Sequence, residues 1–486
     1  MFDRTSQFIA GRWVESAGDR VVEVVSPVTE QVVGRVPVAT TDEVDAAVAA
    51  ARAAFDAGPW PRLPLAERAG RLRRFVEALL ARRSEAIDLQ IREMGATRTF
   101  TTMTLASVPG FLEQMIADAD RIGWREVRTG SVGKVVVLRE PLGVTAAVTP
   151  WNAPLMVVLS KVLPSLLMGC PIVVKPAPEA PLSPYLLGEA ALDADLPAGL
   201  LSIVNGGADI GAYLVGHPGV DSVTFTGSVG GGRAIGATCA ELIRPVTLEL
   251  GGKSAALVCK GVDMAPYLQS LVDSSIRNSG QMCISTNRVL VHDSQRDELV
   301  GQLVETIAGL KLGDPNDEDT YFGPLCSARQ RDIVESYVAS GLAQGARIAC
   351  GGKRPEAHPT GWFFEPTVFF DVDNAMRIAQ EEIFGPVLSV ISYAAEDEAI
   401  AIANDSAFGL GGAVFAPDPE HGLEVARRIV TGTCAVNGGP PSGGGGPFGG
   451  RKQSGLGRER SVEGLESFLA IKSVALPAGY EPDETS

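Results

Sequence analysis

The sequence predicts an α/β fold, a parallel sheet with crossover helices set between a helical opening and a second α/β region. Five short β-rich runs carry that reading: VTAAVTP, PIVVKP, LSIVNG, DSVTFTG and VTLELGG. Each closes on glycine or proline, and helical segments lie between several of them, as in strands joined by crossovers. A glycine- and proline-rich composition, 55 and 32 of 486 residues, suits a fold with many loops.

The opening reads as helical. Thr40 and Glu43 form a capping box, and Val44, Ala47, Val48, Ala51 and Phe55 follow at a helical period. A second helix starts near Pro64, a residue tolerated in a first turn, and turns Leu65, Leu72, Phe75, Val76 and Leu79 inward. A third runs from about Ser84 to Met94 and stops near Gly95. GSVGKVVVLREPLG then reads as a hairpin or extended arm. After the five strands, a second α/β region spans about 252–448, with a helix before Cys283, the strands NRVLVH and SVISY, and the glycine-rich GGPPSGGGGPFGG. SVALP is a last short strand, and the acidic tail beyond it is expected to fray.

Composition excludes several classes of function. A net charge of -16 argues against a nucleic-acid partner. The arginines Arg68, Arg71, Arg73, Arg74, Arg82 and Arg83 alternate with apolar residues and read as the wet face of an amphipathic helix. Seven scattered cysteines do not form a disulfide framework, and four histidines with no Cys-x-x-Cys or His-x-x-x-His spacing predict no metal. The N-terminus lacks a signal-peptide pattern, and no run reaches about 18 uninterrupted apolar residues. A cytoplasmic protein with no membrane partner is the default expectation.

Several residues could carry chemistry. Cys283 lies in NSGQMCISTN, among small polar residues that suggest a tight, accessible turn; a single cysteine is ordinarily structural. Glu249 ends a strand before Gly251 and Gly252, which let a backbone approach something closely, and is either a general base or a surface residue. Asn152, in the rigid corner VTPWNAPL, is either an oxyanion donor or a turn cap. Lys175 ends the strand PIVV, where it can hold a hydroxyl or phosphate. Phe225, Gly227, Ser228 and Gly230 open a helix after a strand, a place for a pyrophosphate, although the Gly-x-Gly-x-x-Gly fingerprint is absent.

Taken together, TPWNAPL, VVKPAPEAPLS, FTGSVGGG, LELGGKS, SGQMCIS, EEIFGPV and PFGGRKQSGLGRE resemble the aldehyde dehydrogenase superfamily in order and spacing, over residues 8 to about 475. The resemblance implies a Rossmann-like cofactor domain of residues 1–122 and 142–252 and a catalytic domain of 253–465. It also implies a small β oligomerisation arm of 123–141 and 466–478, and a tail of 479–486. It implies that Cys283 is the nucleophile, Glu249 the base for deacylation and Asn152 the oxyanion donor beside the Cys283 N–H. Thr149, Pro150, Trp151, Leu250 and Gly251 would line the cofactor site and Lys175 would hold the adenosine ribose. Phe225, Gly227, Ser228 and Gly230 would meet the pyrophosphate, Glu382 the nicotinamide ribose, and Phe384 would brace the nicotinamide. An oligomer is implied, a tetramer ahead of a dimer.

The sequence departs from that pattern in places. Many relatives carry glutamate where Pro178 stands, with Glu179 one place later here. NAD is favoured, with NADP or dual use as alternatives. The loop NGGADIG is one residue shorter than usual. Ala153 replaces the family's phenylalanine, Val157 and Ser160 are small, and the loop with Ser442 before Phe448 has no aromatic residue until Phe448. These point to a wide entrance for a bulky or aromatic aldehyde, unless Met282, Ile284 or the segment from Phe100 to Phe111 fills it. Arg98 is a weak candidate for a substrate carboxylate. The rival readings are a CoA-acylating relative, a semialdehyde dehydrogenase, a general detoxifying enzyme and a non-catalytic relative.

Overall fold

In the computed structural model, residues 1–439, 445–477 and 479–480 are described. The first half supplies strands β1 (Ser6–Ile9), β2 (Arg12–Glu15), β3 (Arg125–Gly130), β4 (Gly133–Pro141), β5 (Thr145–Val148), β6 (Ile172–Lys175), β7 (Leu201–Ile203), β8 (Ser222–Thr226) and β9 (Val246–Glu249). The second supplies β10 (Ala255–Val258), β11 (Arg288–His292), β12 (Arg347–Cys350), β13 (Thr367–Phe370), β14 (Val387–Tyr393), β15 (Gly412–Phe415), β16 (Ala435–Val436), β17 (Gly455–Leu456) and β18 (Leu469–Ala475).

An eight-stranded sheet runs in the order β17-β9-β8-β5-β6-β7-β1-β2. Its centre, the five predicted runs, is parallel. Ile172 and Val174 join one apolar cluster while Val173 joins another, so the sheet is buried on both faces and its strands are apolar throughout. A second, seven-stranded sheet runs β12-β13-β14-β11-β10-β15-β16 and is parallel except at β12, over its own core. The predicted arm is a hairpin of β3 and β4, extended by β18 into an antiparallel three-stranded sheet. β18 is its edge and exposes Ile471 and Val474.

The predicted helices form. Helix α1 (Thr41–Asp56) has the Thr40–Glu43 capping box, α2 (Leu65–Ala81) follows Pro64, and α3 (Arg83–Met94) ends on Gly95 in the left-handed region at φ 72°. Two features depart from the sequence reading. Five short strands precede α1, two to six residues each, too short to display an alternation. A fourth helix, α4 (Arg98–Ala119), spans 22 residues despite Pro109 and is capped by Thr97. Its threonines and internal proline mask the helical period. Among the arginines read as a wet face, Arg68 is instead buried, one guanidinium N–H donating to Pro61 O at 3.2 Å. Helices α5 (Pro154–Leu167) and α6 (Val229–Glu241) are crossovers in the first sheet, and α7 (Leu268–Ile276) leads into the cysteine segment.

Gly455–Leu456, placed by sequence in the second unit, pairs antiparallel with β9 of the first sheet, and Leu465 joins the first sheet's core. The chain has therefore crossed back before residue 465. No described helix is long and apolar enough to cross a membrane.

Replacing Thr40 by Ala removes the side-chain cap on Glu43 N, while the Glu43 carboxylate keeps its bonds from Thr40 N, Ser16 Oγ and Ala17 N. It is expected to cost about 1 kcal/mol, read as a lowered unfolding midpoint in denaturant with enzyme chemistry unaffected.

Candidate active site

Loops leaving the carboxyl ends of the first sheet meet loops entering the second, and most of the predicted residues gather there. After α7 the backbone turns sharply: Asn278 and Ser279 hold positive φ of 53° and 54°, conformations kept where surrounding contacts over-determine them. Those contacts are present. Asn278 Nδ2 donates to Asn152 O at 3.0 Å, and Asn152 Nδ2 donates to Gln281 O at 2.8 Å. Gln281 Oε1 accepts from Cys326 N at 2.8 Å. Asn152 is thus fixed against the segment carrying Cys283, with a second amide N–H left to donate. Cys283 is partly exposed.

The Gly251–Gly252 pair makes the close approach. A Cβ on Gly251 would lie 2.1 Å from Glu382 Oε2, and one on Gly252 would lie 2.5 Å from Cys283 O. Gly252 N also donates to Glu382 Oε1 at 2.9 Å. A third close approach holds Glu249, since a Cβ on Gly449 would sit 2.8 Å from its Oε1.

Electrostatics set the resting state. Glu249 is 2% exposed and neither carboxyl oxygen has a hydrogen-bond partner among the described residues. Burial, then the nearby charge of Glu459, push its pKa well above the carboxylate range, while Lys161, Arg458 and Arg460 pull the other way. Burial pushes the Cys283 thiol up to about 12, helped by the charges of Glu382, Glu249 and Glu459. Glu382 rises to about 7, again mainly by burial. At neutral pH the resting thiol and Glu249 both keep their protons.

The residues predicted for a cofactor line the strand ends. Thr149 and Thr226, at the ends of β5 and β8, carry buried hydroxyls with no partner among the described residues. Pro150 and Trp151 follow Thr149, and Trp151 meets Phe384 edge-on at 5.4 Å. Lys175 is 4% exposed; its Nζ donates to Pro176 O and Gly206 O, and burial lowers it to about 8 against the charges of Glu179 and Asp209. Pro178 is half-buried and Glu179 exposed. Phe225 lies under the next turn, where a Cβ on Gly227 would come within 2.5 Å of its ring. Ser228 caps α6 by accepting from Gly231 N at 3.2 Å, and Gly230 faces open space. Leu250 is buried against Gly232. Orphaned hydroxyls, a helix N-terminus with open space beside Gly230 in its first turn and a buried lysine at neighbouring strand ends fit a dinucleotide.

The predicted substrate residues are less gathered. Ala153 precedes α5 and Val157 lies on its first turn, both partly exposed. Ser160 Oγ donates to Val157 O at 2.8 Å and reaches Glu459 at 3.4 Å, so its hydroxyl is engaged. Met282 and Trp151 pack against a small apolar cluster that includes Phe100, and Ile284 fills the space beside Gly411. Phe448 and Glu459 exchange backbone hydrogen bonds at 2.7 Å. Ser442 lies outside the described residues. Arg98 is paired with Asp88 at 3.0 Å and Asn316 O at 3.1 Å.

Sequence reasoning missed three neighbours. Lys161, fully buried on α5, is bound to Glu459 and reaches Thr224 Oγ1 at 3.2 Å. Arg460 sets its guanidinium over Phe448 at 5.2 Å and Phe111 at 5.8 Å. An interior lysine on an otherwise apolar helix was the readable signal for the first. Glu459 was visible as the last residue of GRKQSGLGRE, with Arg460 next after it, but nothing showed where either would land.

Fold and site define a class: a two-sheet α/β oxidoreductase with a nucleotide crevice on one side and a cysteine on the other. Comparison with known proteins narrows it. Residues 13–474 match the aldehyde dehydrogenase family. The geranial dehydrogenase of Castellaniella defragrans is 42% identical over 98% of this chain and 99% of its own length. A Mycobacterium tuberculosis aldehyde dehydrogenase crystallised with NAD+ superposes at a TM-score of 0.96, with 45% identity over 99% of this chain and 100% of its own. A mutant of aldehyde dehydrogenase C from Pseudomonas syringae, in complex with NAD+ and octanal, gives 0.94 at 36% identity, covering 98% of each chain. The chain belongs to the aldehyde dehydrogenase family, and is an enzyme that oxidises an aldehyde with NAD(P)+ through a cysteine nucleophile.

The raised Glu249 pKa has a stability consequence. In the folded chain the carboxyl holds its proton above the ordinary value of 4.5, whereas the unfolded chain releases it there. Folding stability contributed by this site is therefore full below that value and is lost as pH rises. Glu249→Gln cannot ionise, so its unfolding temperature is expected to match the parent near pH 5 and exceed it by a few degrees at pH 8.5, as followed by scanning fluorimetry.

Proposed function

We propose that this chain oxidises a bulky or aromatic aldehyde to the carboxylic acid with NAD+, through an acyl group on Cys283 that Glu249 helps hydrolyse. The observation that carries the hydrolytic reading is Glu249 itself, buried, unpaired among the described residues and electrostatically coupled to Cys283. Cys283, once deprotonated, attacks the aldehyde carbon. The oxygen becomes an alkoxide, to which the second Asn152 N–H and the Cys283 N–H donate. Bound NAD(P)+ supplies the hydride acceptor that leaves a thioester on Cys283. Glu249, having first lost its resting proton to solvent, then takes a proton from water, the hydroxide adds to the acyl carbon, and the C–S bond breaks to return the thiolate. Lys161, held by Glu459, is a positive charge that offsets ionised Glu249.

The cofactor roles follow the strand ends. Lys175 and Glu179 hold the adenosine ribose, and Phe225, Gly227, Ser228 and Gly230 shape the pyrophosphate turn. Thr149, Pro150, Trp151, Leu250 and Gly251 line the crevice, Glu382 takes the nicotinamide ribose and Phe384 braces the ring. NAD is favoured because Glu179 still places a carboxylate near Lys175; Pro178 leaves NADP or dual use as the second reading. Ala153 and Val157 open one side of the substrate channel, with Phe111, Phe448 and Arg460 on another. Similarity to a geranial dehydrogenase supports a bulky substrate. We place residues 1–122 and 142–252 in the cofactor unit, 253 to about 454 in the catalytic unit, and β3, β4 and β18 in an arm whose exposed edge pairs copies of the chain, as a tetramer ahead of a dimer. A cytoplasmic setting is proposed on the same footing.

Cys283→Ala is expected to abolish turnover and keep cofactor binding. Glu249→Gln is expected to release one NADH per chain in a fast burst and then slow at least about a hundredfold, because water is no longer activated. Absorbance at 340 nm, across NAD and NADP with acetaldehyde, hexanal, benzaldehyde, geranial and succinic semialdehyde, each with and without CoA, checks this. Preference for acetaldehyde would sink the bulky-substrate reading, and a dependence on CoA would sink hydrolysis.

A further inference from the structure

The carboxyl ends of neighbouring strands in the second sheet bring together a thiol, a carboxylate and an imidazole away from Cys283. Cys259 follows β10, and its N–H donates to Phe415 O, the last residue of β15, at 2.8 Å. β14 ends at Tyr393, shortly before α8 (Glu396–Asn404) begins. β15 leads to α9 (Pro419–Arg428), whose cap Asp418 accepts from His421 N at 2.9 Å and so fixes the first turn. Tyr393 Oη donates to Val258 O at 2.6 Å, tying the ends of β14 and β10. Cys283 lies before the first residue of β11, at the opposite end of the same strands.

On this frame Cys259 Sγ, a Glu396 carboxyl oxygen and a His421 ring nitrogen all lie within 4.8 Å of one another. His421 Nε2 is 2.7 Å from Glu396 Oε2. Cys259 is 2% exposed, while the Glu396 and His421 side chains are each 35% exposed, which leaves one side open to solvent. Among the described residues no other three such side chains meet this closely. Sulfur, imidazole and carboxylate are the ligands of zinc-class ions, whose tetrahedral bond lengths put ligand atoms roughly 3.3 to 3.6 Å apart. The cluster needs shifts of about an ångström, within reach of the Glu396 and His421 torsions. Sequence spacing predicted no metal because the three ligands come from segments that meet only in the folded sheet.

We propose that Cys259, Glu396 and His421 bind one zinc-class divalent cation per chain, with water as the fourth ligand. Binding exchanges the Cys259 S–H proton, released to solvent, for a sulfur–metal bond, with no change of oxidation state. The cation clamps the end of β10 to the starts of α8 and α9 and takes no part in aldehyde oxidation.

The test uses the full-length chain with Cys283→Ala, which removes the catalytic thiol as a competing ligand, treated with chelator and titrated with Co2+. The expected result is a thiolate-to-cobalt charge-transfer band in the near ultraviolet, saturating at one equivalent and lost in both Cys259→Ser and His421→Ala. Zn2+ should displace Co2+ and raise the unfolding temperature of the parent but of neither variant. With Cys283 intact, both substitutions should leave NADH formation unchanged. Absence of the band, or a band that survives in both variants, would overturn the proposal and leave a hydrogen-bonded cluster.

Discussion

Everything chemical in this molecule depends on a stretch of backbone that carries no side chains. Gly251 and Gly252 join the last strand of the first parallel series to the first strand of the second sheet, and the space their missing Cβ atoms leave is taken by Glu382 and by the carbonyl of Cys283. The link is short, so the two sheets must come together here, and they bring the cysteine loop against the strand ends. The strained Asn278–Ser279 turn is kept in place by the same meeting, through Asn152 and Gln281. Neither half of the site can be built by its own sheet.

That closeness gathers acidic groups where water is scarce. Glu249, Glu382 and Glu459 all bear on Cys283, and the result is a resting thiol and a resting carboxyl that hold their protons. Such a site does not stabilise the fold; it costs stability in return for groups whose proton affinities can change once ligands arrive. Lys161 on the inner face of α5 is the countercharge, itself held by Glu459.

Much of this was readable in the sequence, for physical reasons. Central parallel strands are buried on both faces, so their apolar runs and terminal glycines stand out, and the Thr40 capping box and Gly95 stop mark helix ends locally. The opening strands did not stand out because none exceeds six residues, and α4 did not because threonines and Pro109 break its apolar stripe. Within the site, motif residues such as Cys283, Glu249 and Asn152 announce themselves through the segments that resemble the family, since local pattern alone left each a structural alternative. Lys161 with Glu459, and Arg460 with Phe111, do not: they are partners across hundreds of residues, and no local pattern encodes a meeting decided by how two sheets pack. The same holds for Cys259, Glu396 and His421.

The most direct test of the glycine constraint is the single-turnover rate of NADH release by Gly252→Ala, measured beside its unfolding midpoint. An added methyl must push against Cys283 O, so the variant is expected to fold and to release NADH at least about a hundredfold more slowly, as when a nucleophile is displaced by about an ångström. A folded variant that releases NADH within about twofold of the parent rate would show that the cysteine does not depend on the gap that Gly252 leaves.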